Sequence, residues 1–167
     1  MVDTLLDLPA LRFLIVDDSV EMRVLLTHML NSLGARQLLE AKDASEALEI
    51  LKVNHVDVIF TDWKMSPVDG IVFTRLVRTA PDSQFQMIPI IMISGYTEMH
   101  HVAEARDAGV TEFLAKPVSA KALYRRIEEV ILRPRQFVRT EIYSGPGRHR
   151  RSSKNYRGPR RRIEDKD

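Results

Sequence analysis

Short apolar runs alternate with amphipathic stretches over the first 132 residues, and that alternation predicts strands and helices in strict turn. Arg12–Val16 (RFLIV), Gln37–Ala41 (QLLEA), Val56–Phe60 (VDVIF), Pro89–Ser94 (PIIMIS) and Thr111–Ala115 (TEFLA) read as five strands. Between them, Val20–Leu33, Ala44–Val53, Ile71–Thr79, Met99–Ala108 and Ala120–Leu132 carry helical periodicity. Gly34 and Gly109 stand where helix C-caps belong, and Arg133–Pro134 stops the last helix. Strict βα alternation implies an α/β fold, a mostly parallel sheet with helices on both faces.

The residues at the strand ends are polar. Asp17 and Asp18 follow the first strand, Asp62 the third, and Lys116 the fifth, while Ser94 closes the fourth. In doubly wound sheets, ligands bind beyond the carboxyl ends of the strands, at the topological switch point. Three carboxylates gathered there raise one another's pKa unless a cation neutralises them. A donor set of oxygen alone favours a hard ion, and Mg²⁺ is the one that keeps several waters and grips phosphate. Because Asp17 and Asp18 are sequence neighbours, one binds the ion directly and the other acts through water. Asp62 offers one oxygen as ligand and one as nucleophile, and a carboxylate attacking phosphorus makes an acyl phosphate. Phosphoryl transfer needs positive charge around the equatorial oxygens. Mg²⁺, the Lys116 ammonium, and the Ser94 hydroxyl with nearby backbone N–H groups supply it.

With "LIVDDS", "FTDWKMSPVDGI", "ISGY" and "FLAKPV" in this order, the chain over roughly residues 11–132 resembles a CheY-like receiver domain of a two-component response regulator. The resemblance implies a flavodoxin-like strand order, 2-1-3-4-5. It implies that Asp62 is the phosphoacceptor, fed by a phosphohistidine on a histidine kinase or histidine phosphotransfer protein. Asp18, Asp62 and the main-chain carbonyl of Lys64 are then Mg²⁺ ligands, with Asp17 helping through water. Ser94 and Phe113 match the family's switch pair, and Lys116–Pro117 its cis peptide bond. A downstream protein target is expected on the face of the fourth helix, fifth strand and fifth helix. The only catalysis implied is of the protein's own phosphorylation and dephosphorylation, so an enzyme in the ordinary sense is not expected. Two departures stand out. Pro67 lies one position after the family's usual proline, where Ser66 stands, and the switch aromatic Phe113 has no hydroxyl. Lys64 occupies a position that in the family influences acyl-phosphate lifetime.

Composition changes the picture at one end. The chain has 167 residues, is 44% hydrophobic and 29% charged, and has no cysteine. Disulfides and thiolate metal sites are thereby excluded, and a reducing, cytoplasmic location is expected. Asp3 and Asp7 replace the basic start of a signal peptide, and no apolar run is long enough to span a bilayer. The net charge of +2 conceals a split: residues 133–167 hold 12 Lys and Arg against 4 Asp and Glu, whereas residues 1–132 hold 13 against 19. The expected organisation is a receiver domain over 10–132 and an irregular, largely disordered basic tail over 133–167. Within the tail, "YSGPGRHRR" and "YRGPRRR" form an imperfect repeat that places Arg148, Arg150, Arg151, Arg160, Arg161 and Arg162 in a basic patch. Such a patch suits nucleic acid or another anionic partner, or folds back on the acidic body.

Two rival readings have distinct signatures. A haloacid-dehalogenase-type phosphatase also uses a strand-end Asp and Mg²⁺, but its nucleophile and acid–base Asp lie two apart on the first strand, and "DDS" lacks that spacing. An interaction module acting through its tail on an anionic partner is the other. His100–His101 is expected to be a solvated helix start rather than a metal pair, because neighbours on a helix diverge by about 100°.

Overall fold

A computed structural model describes residues 5–81, 84–96 and 98–147. Five parallel strands form one sheet in the order β2-β1-β3-β4-β5: β1 Arg12–Val16, β2 Gln37–Ala41, β3 Val58–Asp62, β4 Ile90–Ser94 and β5 Glu112–Ala115. Helices α1 Val20–Leu33, α2 Ala44–Val53, α3 Gly70–Thr79, α4 Met99–Ala108 and α5 Ala120–Leu132 connect them. This is the flavodoxin-like architecture expected, with small shifts in the bounds. The third strand starts at Val58 rather than Val56, because Asp57 turns its carboxylate to the Arg12 amide, 2.8 Å away. Asp62 thus becomes the last residue of β3 rather than a residue beyond it. Pro89 contributes a carbonyl to the Ile59 amide but has no N–H to extend β4.

The central strands β1, β3 and β4 are buried on both faces, which is why they read as apolar runs, whereas edge strands β2 and β5 are partly exposed. Phe13, Ile15, Phe60, Ile91 and Ile93 pack with Leu26 and Leu30 of α1 and with Leu123 and Ile127 of α5. Leu14, Val16, Ile59 and Ile90 face α2 and α3 through Ala47, Leu51, Phe73 and Val77. Each such buried side chain contributes about 1.5–3 kcal/mol. Side chains of Ser19, Asp43, Asp69 and Ser119 accept first-turn amides of α1, α2, α3 and α5. Gly34 and Gly109, at φ 110° and 107°, close α1 and α4 in the left-handed region. The four N-caps fix where α1, α2, α3 and α5 begin relative to their strands, and so the lengths of those loops at the carboxyl edge.

The stretch after α5 departs from expectation. Residues through Gly147 are not irregular: β6 Phe137–Arg139 and β7 Ser144–Pro146 pair antiparallel and lie against α3 and the end of α4. The anchor is Arg78, 1% exposed at the end of α3. Its guanidinium donates to the carbonyls of Gly109, Gln86 and Ile88 and to the Thr111 hydroxyl, and lies 5.8 Å from the centre of the Phe137 ring. Ser144 donates to the Arg78 carbonyl, and Arg135 pairs with Glu112 of β5 at 3.3 Å. The acidic body thus recruits residues 133–147 of the basic segment. The six tail arginines singled out above lie outside the described residues.

Candidate active site at the carboxyl edge of the sheet

Short, capped loops bring four strand ends together. Asp17 follows β1 directly, its amide tied to the Ala41 carbonyl at 3.1 Å and its Oδ1 accepting the Ser19 amide at 2.9 Å. Its backbone carbonyl accepts Arg23 Nη1 at 2.6 Å, and Arg23 reaches across to Glu40 of β2. Asp17 is buried, Asp18 exposed and Asp62 half-buried. One carboxylate oxygen from each lies within 4.8 Å of the others. Burial pushes the Asp17 carboxyl up from its ordinary value, and the charges of Asp62 and Asp18 add to that. The Ser19 amide and Lys116 oppose it.

Lys116 Nζ stands 3.4 Å from Asp62 Oδ1, and the same oxygen accepts the Trp63 amide at 2.8 Å. Ser94 is buried at the end of β4. Its hydroxyl accepts the Tyr96 amide and its carbonyl accepts the Lys116 amide, each at 3.0 Å. Phe113, beside Met92 in the β4–β5 register, is half-buried against Trp63, Ile71, Ala105 and Val110. The Lys116–Pro117 bond is cis, and so is Ser66–Pro67, in the loop where the proline is displaced. Lys64 is exposed two residues beyond Asp62.

Two contributors were not singled out from the sequence. Gly70 opens α3 so close to β3 that a Cβ there would overlap the Asp62 carbonyl, while its amide donates to the Trp63 carbonyl at 2.7 Å. Asp69–Gly70 was legible only as a helix start. Nothing in the spacing of Arg23 along α1 points to the Asp17 carbonyl that it reaches.

The residues fit a hard divalent cation. Among the described residues, three carboxylates converge with Lys116 paired to one of them, and no sulfur or imidazole shares the set. Fold and site together define a phosphoacceptor α/β domain. The response regulator receiver domain family matches residues 13–128, and the chain belongs to that family. It is 33% identical over 123 residues to chemotaxis protein CheY of Pseudomonas aeruginosa, a match covering 74% of this chain and 98% of that protein. It is 37% identical over 122 residues to CheY1 of Helicobacter pylori, covering 72% and 97%. Among solved structures, Vibrio cholerae CheY4 superposes with a TM-score of 0.67 at 30% identity, covering 72% of this chain and 98% of that one. The receiver domain of a Pseudomonas aeruginosa sensor histidine kinase, solved with magnesium coordinated in its active-site cleft, superposes at 0.64 with 25% identity over 71% and 95%. Among the described residues, no helix is long and apolar enough to cross a membrane.

Proposed function

We propose that Asp62 is the phosphoacceptor of a two-component relay, taking its phosphoryl group from a phosphohistidine on a histidine kinase or phosphotransfer protein. In the step, a carboxylate oxygen of Asp62 forms the new bond to phosphorus as the bond from phosphorus to the imidazole nitrogen breaks, and the imidazole leaves with a proton from water. Asp18, Asp62 and the Lys64 carbonyl would hold Mg²⁺, with Asp17 helping through water, and the ion when bound would neutralise the acidic trio and withdraw charge from the transferring phosphoryl group. Lys116 holds a second phosphoryl oxygen, and its position 3.4 Å from Asp62 between strand ends carries the reading. Trp63 donates to Asp62 from the backbone and so orients the carboxylate.

Phosphorylation adds negative charge beside Ser94. The Ser94 hydroxyl, now accepting from Tyr96, turns to donate to the phosphoryl group, and Phe113 moves inward into the space behind it. Phe113 signals by packing alone. That rearrangement biases the α4–β5–α5 surface toward a downstream protein. The phosphatase reading is not favoured, because the carboxylates that meet come from β1 and β3 rather than from one strand.

Incubation of the full chain with Mg²⁺ and acetyl phosphate tests the assignment by intact mass. Wild type gains one phosphoryl group and Asp62→Asn gains none. Equal gain by both would place the acceptor elsewhere.

A further inference from the structure

A second cluster of metal-binding side chains lies at the start of α4, outside the acidic trio. Glu98 is the N-cap residue of this helix, yet its carboxylate caps no amide. It turns instead to His101, with Oε2 2.7 Å from Nδ1. That hydrogen bond holds the Glu98 carboxyl below the usual carboxylate range. The His100 ring lies 3.9 Å from the His101 ring, centre to centre. One ligand atom from each of Glu98, His100 and His101 falls within 4.8 Å of the others. The expectation that helix neighbours diverge fails here for a local reason. Helical side chains lean toward the N-terminus, and in a first turn no preceding turn blocks them. Both rings therefore fold back over the residue that opens the helix.

We propose that Glu98, His100 and His101 form a binding site for Zn²⁺ or a similar imidazole-preferring divalent ion, separate from the Mg²⁺ site. Two imidazole nitrogens and one carboxylate oxygen are the donor set of open zinc centres, in which three protein ligands leave a position for water. The all-oxygen trio at Asp62 has the opposite preference, so the two sites sort ions by ligand chemistry. One ligand is already held in place: the His101 ring stands edge-on to Trp63 at 5.3 Å and lies 5.1 Å from Tyr96. Less ordering is therefore needed on binding than for three free surface side chains. The ion joins the β4–α4 connection to the first turn of α4, so occupancy stiffens the start of that helix. Trp63 is the only tryptophan, and its amide donates to Asp62. The second site thus lies one aromatic contact from the phosphoacceptor residue's neighbour, and its occupancy is read by Trp63 emission.

The test is calorimetric titration of the full chain with Zn²⁺ in millimolar Mg²⁺, followed in parallel by Trp63 fluorescence. The expected result is one Zn²⁺ site per chain whose filling changes the emission. His100→Ala and His101→Ala each weaken it at least ~10-fold, since loss of a direct ligand exceeds the effect of losing an outer-shell partner. Glu98→Gln weakens it too, whereas Asp62→Asn and His55→Ala leave it intact. Circular dichroism of the uncomplexed variants confirms folding, the control that matters most at His101, which is half-buried against Trp63 and Tyr96. Wild-type affinity in the His100→Ala/His101→Ala double variant, or no emission change on Zn²⁺ binding, overturns the proposal. Loss of the site in Asp62→Asn also overturns it, by placing the ion in the acidic trio. Phosphoryl uptake by these variants is scored separately, so failure of this site leaves the Asp62 reading untouched.

Discussion

At the residue scale, the proposed chemistry rests on Lys116. Its Nζ lies 3.4 Å from Asp62 Oδ1, and a single preorganised donor of this kind contributes on the order of a hundredfold in rate. Lys116→Ala is therefore expected to take up phosphoryl from acetyl phosphate about a hundred times more slowly than wild type, with the fold retained, as read by time-resolved intact mass. Gly70→Ala acts from behind the nucleophile. The added methyl meets the Asp62 carbonyl, so α3 and β3 must separate. Overpacking of this kind costs about 1–3 kcal/mol. Urea denaturation should show that loss together with slower phosphoryl uptake, while Gly95→Ala, where a Cβ meets nothing within 4 Å, shows neither. The four strand-end groups were legible because a carboxylate or ammonium after an apolar run is costly unless it has work there. Gly70 was not, since its constraint is a backbone approach between β3 and α3 that no local pattern records.

At the element scale, the receiver elements were legible and the C-terminal hairpin was not. Strands β1, β3 and β4 are buried on both faces, and that burial writes an apolar run of three or four residues into each. Strands β6 and β7 are three residues each and exist because Arg78, Gly109 and Glu112 hold this segment, through contacts 23 to 66 residues away in the chain. Arg78 sits among polar and apolar residues of α3 like any solvated arginine, yet it is fully buried, and burial lowers its pKa to about 10. Arg78→Met strands three main-chain carbonyls that now accept its N–H groups. At about 1–3 kcal/mol for each buried acceptor left unsatisfied, the expected loss is at least ~3 kcal/mol by chemical denaturation. Gly145→Ala is gentler and more selective. Its Cβ would fall 2.9 Å from the Gly109 Cα and 2.7 Å from the Tyr143 hydroxyl. The hairpin should undock while the five-stranded sheet persists. Hydrogen exchange is then expected to accelerate at the amides of Thr140 and Gly147, which bond to Tyr143 and Gln136, and to stay slow at Ile59. Protection unchanged at Thr140 and Gly147 would show that the hairpin does not depend on this close glycine contact.

At the scale of the whole molecule, the acidic site sets how stability answers to pH and to Mg²⁺. Burial and two neighbouring carboxylates raise the Asp17 pKa above its unfolded value, which lies near 3.9. Between those two values the native state holds the proton more tightly than the unfolded chain. Stability from this group is thus fully present at acid pH and is lost as pH rises through the native pKa. Without a divalent ion, then, raising the pH should erode the contribution of Asp17 rather than build it, against the usual trend for paired carboxylates. Mg²⁺ reverses the balance by favouring the ionised trio. At ten times its dissociation constant, a ligand specific for the native state adds about 1.4 kcal/mol. Urea midpoints of wild type should therefore rise with Mg²⁺ at pH 7.5 and less at pH 4, where protons compete with the ion for the Asp17 carboxyl. Asp17→Asn should be more stable than wild type at pH 7.5 in EDTA and gain less from Mg²⁺. An Asp17→Asn midpoint below that of wild type in EDTA would mean that the Ser19 and Lys116 contacts outweigh burial and repulsion, with the site held together by its own hydrogen bonds rather than by the cation it is built to receive.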